Sequence, residues 1–110
     1  MINSARDIMK NNISKTTHNF ANARKLSVDS DYCHDHQKSF IWICVNDDCS
    51  EPMFSLFAND DGSFSYRGNI WLDRATREEI PAYIKGEKQL RQVLAFIAQD
   101  MRSQINACFN

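Results

Sequence analysis

Residues 33–49 hold the one dense group of metal-competent and nucleophilic side chains: Cys33, His34, His36, Cys44 and Cys49. Three of the four cysteines and two of the three histidines fall there. Thiolate and imidazole are the usual ligands of structural zinc, which four of them hold tetrahedrally. Cys33, His36 (or His34), Cys44 and Cys49 are therefore the candidate metal ligands, and structural zinc is the one cofactor that the composition suggests. The alternative is that no cofactor is bound and these are packing and loop residues. Cys44 lies inside the apolar run Phe40–Val45, two residues from Trp42. Cysteine often behaves as a small buried hydrophobe in such a place.

Cys33-x-x-His36 resembles half of a zinc knuckle, and Cys44-x4-Cys49 supplies a second half across a turn. The tight Cys-x-x-Cys pairs with glycine that characterise such motifs are absent, so no function is carried over. A second chemistry is nucleophilic: an imidazole beside a thiol favours the reactive thiolate. Cys33 with His36 or His18 has the right residue types. No oxyanion-hole motif, glycine-rich loop or orienting third group accompanies them. No catalytic residue is assigned, and a thiol enzyme using Cys33 is the third functional reading. Phosphate-binding motifs of the G-x-x-x-x-G-K-[ST] and G-x-G-x-x-G types are also absent.

Charge is distributed unevenly over the 110 residues. Residues 1–28 carry a net +4, residues 29–61 a net −7 and residues 62–110 a net +2. An acidic middle is a poor match for nucleic acid, whose binding needs a basic face. Lys85, Lys88 and Arg91 are the basic residues nearest the start of the last helix, where a double-stranded-RNA-binding domain would need them. The N-terminus lacks a basic-then-apolar leader pattern, and no apolar run is long enough to span a bilayer. The expectation is a cytoplasmic chain with reduced thiols and no membrane partner.

These side chains must be positioned by a small α+β fold. Ser4 and Asp7 predict a capped helix over residues 4–25. Residues 27–37 read as a polar loop. The alternation over 39–46 predicts a strand, with Phe40, Trp42 and Cys44 on one face and Ile41, Ile43 and Val45 on the other. Residues 52–59 and 63–72 predict two more strands joined at Asp61-Gly62, a pair suited to a type I′ turn. That two-residue loop sets Asn59 opposite Phe64, Phe57 opposite Tyr66 and Met53 opposite Ile70. It makes Phe57 and Tyr66 core residues and leaves Phe54, Leu56 and Ala58 on a half-apolar second face. Pro81–Ile84 reads as a short helical turn. Residues 87–108 carry the clearest apolar stripe, from Leu90 to Cys108. The predicted order is α-β-β-β-α: a three-stranded antiparallel meander in one domain, 1–110, with the long C-terminal helix on the Phe57/Tyr66 face.

The leading functional expectation is a small cytosolic protein-binding module, an adaptor, inhibitor or regulator, with a homodimer among its forms. Its contact residues are Phe54, Leu56, Arg67 and Trp71, since aromatics with arginine make interface cores. A zinc-stabilised nucleic-acid-binding or regulatory module is the alternative.

Overall fold

The computed structural model describes residues 13–35, 37–45, 51–69 and 71–108, with Asn69 described by its backbone alone. Among them a five-stranded antiparallel sheet runs in simple sequence order: β1 (Leu26–Cys33), β2 (Lys38–Val45), β3 (Phe54–Ala58), β4 (Phe64–Asn69) and β5 (Tyr83–Ile84). Four helices accompany it: α1 (Lys15–Asn22), α2 (Arg74–Glu79), α3 (Glu87–Asp100) and α4 (Arg102–Ala107). The α+β class is as expected, but the sheet is wider than the three-stranded meander.

Two strands were hidden by their polarity or brevity. Residues 27–37 were expected to be a loop, yet β1 pairs with β2 over eight residues, from Leu26↔Val45 to Cys33↔Lys38. Its alternation places Leu26 and Val28 in the core and Asp29 and Asp31 in solvent, as an edge strand with one wet face requires. Residues 81–84 do not make a helical turn. Tyr83–Ile84 instead pairs with Ser65 and Phe64 as the opposite edge.

The β3–β4 hairpin overturns the expected register. Its loop is Asp60-Asp61-Gly62, closed by Asn59 N–H donating to the Ser63 carbonyl at 2.8 Å. Gly62 adopts φ +88°, the left-handed position that ends a three-residue hairpin loop. Asp61 Oδ1 accepts from the Ser63 amide at 3.0 Å and the Ser63 hydroxyl at 2.5 Å, which fixes this turn. Those two bonds hold the Asp61 carboxyl below its ordinary pKa, with the hydroxyl contributing most. The observed pairs are Ala58↔Phe64, Phe57↔Ser65 and Leu56↔Tyr66. One residue of slip exchanges the faces of a strand. Phe54, Leu56 and Ala58 are therefore core, and Phe57 turns to the other side. A bulge between Ser55 and Leu56 then restores the originally expected alignment at the base, Ser55↔Gly68 and Phe54↔Asn69.

All four described helices lie on the Ile41/Phe54/Leu56 side. Leu90, Val93, Leu94 and Ile97 of α3 join Ile41, Ile43, Phe54, Leu56 and Ile84 in one buried cluster. The C-terminal helix thus covers the face that was expected to be open. It also ends earlier than expected: at Met101 the backbone leaves helical geometry (φ −109°, ψ 26°) before α4 resumes. Ala21 of α1 and Ile105 of α4 complete the layer. The expected helix 4–25 is seen from Lys15 to Asn22; residues 4–12 lie outside the described residues.

Glu87 ties α1 to α3. Its carboxylate accepts from the Ser14 hydroxyl at 2.5 Å, the Thr17 hydroxyl at 2.6 Å and the Ser14 amide at 3.2 Å. Arg91 Nη1 donates to the same Thr17 oxygen at 2.9 Å. Burial alone would raise the Glu87 pKa, but these hydrogen bonds and the Arg91 charge together leave it below the ordinary value. Among the described residues no helix is long and apolar enough to cross a membrane.

Candidate functional site

The strand register defines the sheet face that points away from the helices. β1 contributes Ser27, Asp29, Asp31 and Cys33; β2 contributes Lys38, Phe40, Trp42 and Cys44; β3 contributes Ser55 and Phe57. The face continues through Ser65 and Arg67 of β4 to Tyr83 of β5. Phe40, Trp42 and Phe57 are half-buried, and none of them belongs to the helix-side core cluster. Tyr83 is 51% exposed, the one large apolar side chain in that class among the described residues.

These aromatics form a packed group around one cation. The Phe40 ring meets Trp42 edge-on at 6.0 Å and Phe57 edge-on at 5.3 Å between centroids. The Arg67 guanidinium lies over all three rings, 4.2 Å from the Phe40 centroid, 5.4 Å from Trp42 and 5.9 Å from Phe57. A hydrogen bond from its Nη1 to Ser55 Oγ at 3.2 Å fixes the fork. The β3–β4 bulge sits at this point and aims Arg67 across the sheet rather than along its own strand. Cation–π attraction is strongest where water is scarce, and half-buried rings meet that condition. The Lys38 ammonium adds a second cation 5.4 Å from the Phe57 centroid.

Charge across the face is polarised. Asp29 and Asp31 are exposed on β1, and Arg67 is exposed on β4. Asp29 pairs with Trp42, which pairs with Ser55, which pairs with Gly68; Asp31, Phe40, Phe57 and Ser65 form the next such row. Arg67 falls between the two rows. At about 4.8 Å per strand, β1 and β4 lie about 14 Å apart, and the Arg67 guanidinium reaches back from β4 over the rings of β2 and β3. Among the described residues none of Asp29, Asp31 and Arg67 takes part in an ion pair; the pair present is Arg74–Glu78 on the surface of α2.

The expected contact residues divide. Arg67 lies on this face, across the sheet from Phe54 and Leu56, beside which it was expected. Phe54 and Leu56 are fully buried against the helices, and Phe54 stacks on Tyr66 at 5.9 Å. Trp71 packs against the core, and its indole N–H donates to the Glu51 carbonyl at 2.9 Å. Phe40, Trp42 and Phe57 take the places expected of Phe54, Leu56 and Trp71. The alternation of β2 already set Phe40 and Trp42 on one face; only the hairpin register hid that Phe57 joins them.

The expected zinc ligands are not gathered. Cys33 faces Lys38 at one end of the β1–β2 hairpin, and Cys44 sits six residues farther along β2. That is about 20 Å, too far for one ion to bind both at ordinary Zn–S lengths. Cys44 is fully buried and disulfide-bonded, so the expectation of reduced thiols fails there. Cys33 and Cys108 are free thiols. His36 and Cys49 lie outside the described residues. Among the described residues no group of three His, Cys, Asp or Glu side chains could hold a metal ion. Cys33 is half-buried and has no hydrogen bond to an imidazole among the described residues; His34 packs its ring edge-on against Tyr32 at 4.9 Å, and His18 lies on α1.

Comparison with protein-family models, with curated proteins and with solved structures finds no match to this chain.

Proposed function

We propose that this chain is a small protein-binding module, an adaptor, inhibitor or regulator whose contact surface is the sheet face around Phe40, Trp42, Phe57 and Arg67. The observation that supports this reading is the position of Arg67 over three half-buried rings on the face opposite the helices. Tryptophan and arginine in a preorganised cluster are the residue types that dominate interface energetics. Side chains already ordered in the free state lose little further entropy on binding.

Base stacking on sheet aromatics is a general mode of single-strand recognition. Here Asp29 and Asp31 border the rings, and phosphates following the stacked bases would meet them. A protein surface with its own cations suits the face better. No metal enters this proposal. The disulfide at Cys44 stands against the expected reducing compartment, and the proposal does not depend on location.

The test is to recover binding proteins from expressing cells and to repeat the binding with purified partner. Trp42→Asp and Arg67→Glu should each weaken that reconstituted complex by tenfold or more, about 1.4 kcal/mol, while Lys88→Ala on α3 leaves it unchanged. A partner held equally well by Trp42→Asp would refute the face as the contact surface.

A further inference from the structure

We infer that the chain binds a phosphate group, free or esterified to a small molecule, in the cavity between the α1–β1 turn and the α3–α4 bend. This site lies among the helices, away from the outward sheet face. It goes beyond the reading of that face and does not depend on it.

The cavity measures about 260 Å³. Ala23, Arg24 and Lys25, which carry the chain from α1 into β1, line one side. Ala98, Arg102 and Asn106 line the other. Their four-residue spacing keeps these three along one side of α3 and α4, although the helix is interrupted at Met101. Buried Ile105 closes the base. Ala23 and Ala98 leave the space that longer side chains would fill.

Three of the lining side chains are cationic and none is acidic. The nearest carboxylates along the chain turn elsewhere: Asp100 accepts from the Thr76 hydroxyl of α2, and Asp29 lies on the outward sheet face. Cations gathered in a concave site without a carboxylate make a potential that attracts an anion. Among the described residues neither Arg24 nor Arg102 takes part in an ion pair.

The donors are held in place. Arg24 Nη1 donates to the Phe20 carbonyl at 3.0 Å, and its guanidinium lies over the Phe20 ring, 3.5 Å from the centroid. That bond also offsets the partial negative charge at the end of α1. Lys25 adopts φ 65°, the left-handed position after a helix that glycine or asparagine usually fills. From there its ammonium donates to Asn106 Oδ1 at 2.9 Å, on the opposite side. The amide oxygen is thereby committed to the lysine, and Asn106 Nδ2 remains as a further donor. Donors ordered before binding lose little entropy. Two guanidinium forks, an ammonium and an amide suit a phosphate, with its near-double charge and three acceptor oxygens, better than a carboxylate. The volume falls just below the roughly 300–1,000 Å³ of sites that enclose drug-sized ligands. It suits one phosphate group or a small ester of it.

The test is isothermal titration calorimetry of the full chain with inorganic phosphate and with glycerol phosphate at constant ionic strength, acetate being the control anion. Phosphate should bind at a single site with a Kd below about 1 mM, and acetate at least tenfold more weakly. Arg102→Gln and Ala23→Glu alter exposed side chains. Each should weaken phosphate binding tenfold or more, about 1.4 kcal/mol. Lys88→Ala removes a charge elsewhere on α3 and should leave binding unchanged. Circular dichroism confirms that each variant is folded. Should Arg102→Gln not fold, Arg102→Lys keeps the charge without the fork and should weaken binding several-fold. Tighter binding of glycerol phosphate assigns the site to phosphate esters, and tighter binding of inorganic phosphate assigns it to the free ion; both support the proposal. Phosphates bound no more tightly than acetate, or phosphate binding indifferent to the Arg102 and Ala23 variants alike, would overturn it. Neither result touches the sheet face, which is tested separately by Trp42→Asp with a purified partner.

Discussion

Two phenylalanines separated by three positions should differ sharply in what their removal costs. Phe54 is fully buried and stacks on Tyr66 with rings 14° from parallel, whereas Phe57 is half-buried on the outer face. Full burial of a phenylalanine removes about 150–200 Å² from water, which at about 25 cal/mol per Å² is about 4 kcal/mol. Phe54→Ala keeps only the Cβ and leaves a cavity, so the loss should be about 3–5 kcal/mol. That is a large share of the ~5–15 kcal/mol that typically holds a domain together. Phe57→Ala forfeits an edge contact with Phe40 and weak cation contacts with Lys38 and Arg67, about 1 kcal/mol together. Urea unfolding followed by far-UV circular dichroism at low protein concentration measures both. Unchanged slopes with the Phe54→Ala midpoint roughly 2 M below that of Phe57→Ala would agree with the gap. A Phe57→Ala loss equal to or greater than that of Phe54→Ala would refute the three-residue hairpin loop, since that loop alone decides which ring faces the helices.

Glu87→Gln should weaken the docking of α1 by about 1 kcal/mol, allowing for solvent around a half-exposed carboxylate. The folded pKa of Glu87 lies below its ordinary 4.5, so its contribution is present above that value and is lost as the pH falls through the folded pKa; urea midpoints across that range should drop for wild type and flatten for the variant. Tyr66→Phe should leave stability unchanged or raise it by up to ~1 kcal/mol, because the Tyr66 hydroxyl is buried without a hydrogen-bond partner among the described residues. Burial, only partly opposed by the Arg77 charge 3.7 Å above the ring, also pushes the Tyr66 pKa up, so its absorbance titration should lie above that of free tyrosine. Gly62→Ala should destabilise the hairpin by about 1 kcal/mol or more, since Gly62 has φ +88° and open space around it; the cost is conformational, and thermal unfolding measures it.

Where apolar periodicity dominated, the sequence was legible. The strand expected over 39–46 and the helix expected over 87–108 each fell within a residue of the outer bounds of β2 and of α3–α4. Edge strands were harder to see. β1 exposes alternate aspartates on its wet face, and the same composition describes a loop. β5 is two residues long and is defined by its neighbour rather than by any pattern of its own. The candidate site failed at one local choice. Asp61-Gly62 suits a two-residue turn, but the bonds from Ser63 to Asp61 favour a longer loop with Gly62 at its end. That single residue exchanged Phe54 and Leu56 for Phe57 on the contact face. Arg67 survived the exchange because the bulge beside it shifts the register back. Cys33 and Cys44 stand apart for a related reason: their proximity in sequence became the length of a strand once residues 26–33 paired as β1.

The most direct test of the contact face is a titration of the isotope-labelled wild-type chain with a purified binding protein, followed residue by residue through its backbone amide NMR signals. The account predicts that shifts induced by the partner are confined to residues 29–31, 38–42, 55–57 and 65–67, with α1 and α3 unmoved. Shifts concentrated on the helices, with the signals of Trp42, Phe57 and Arg67 stationary, would contradict it.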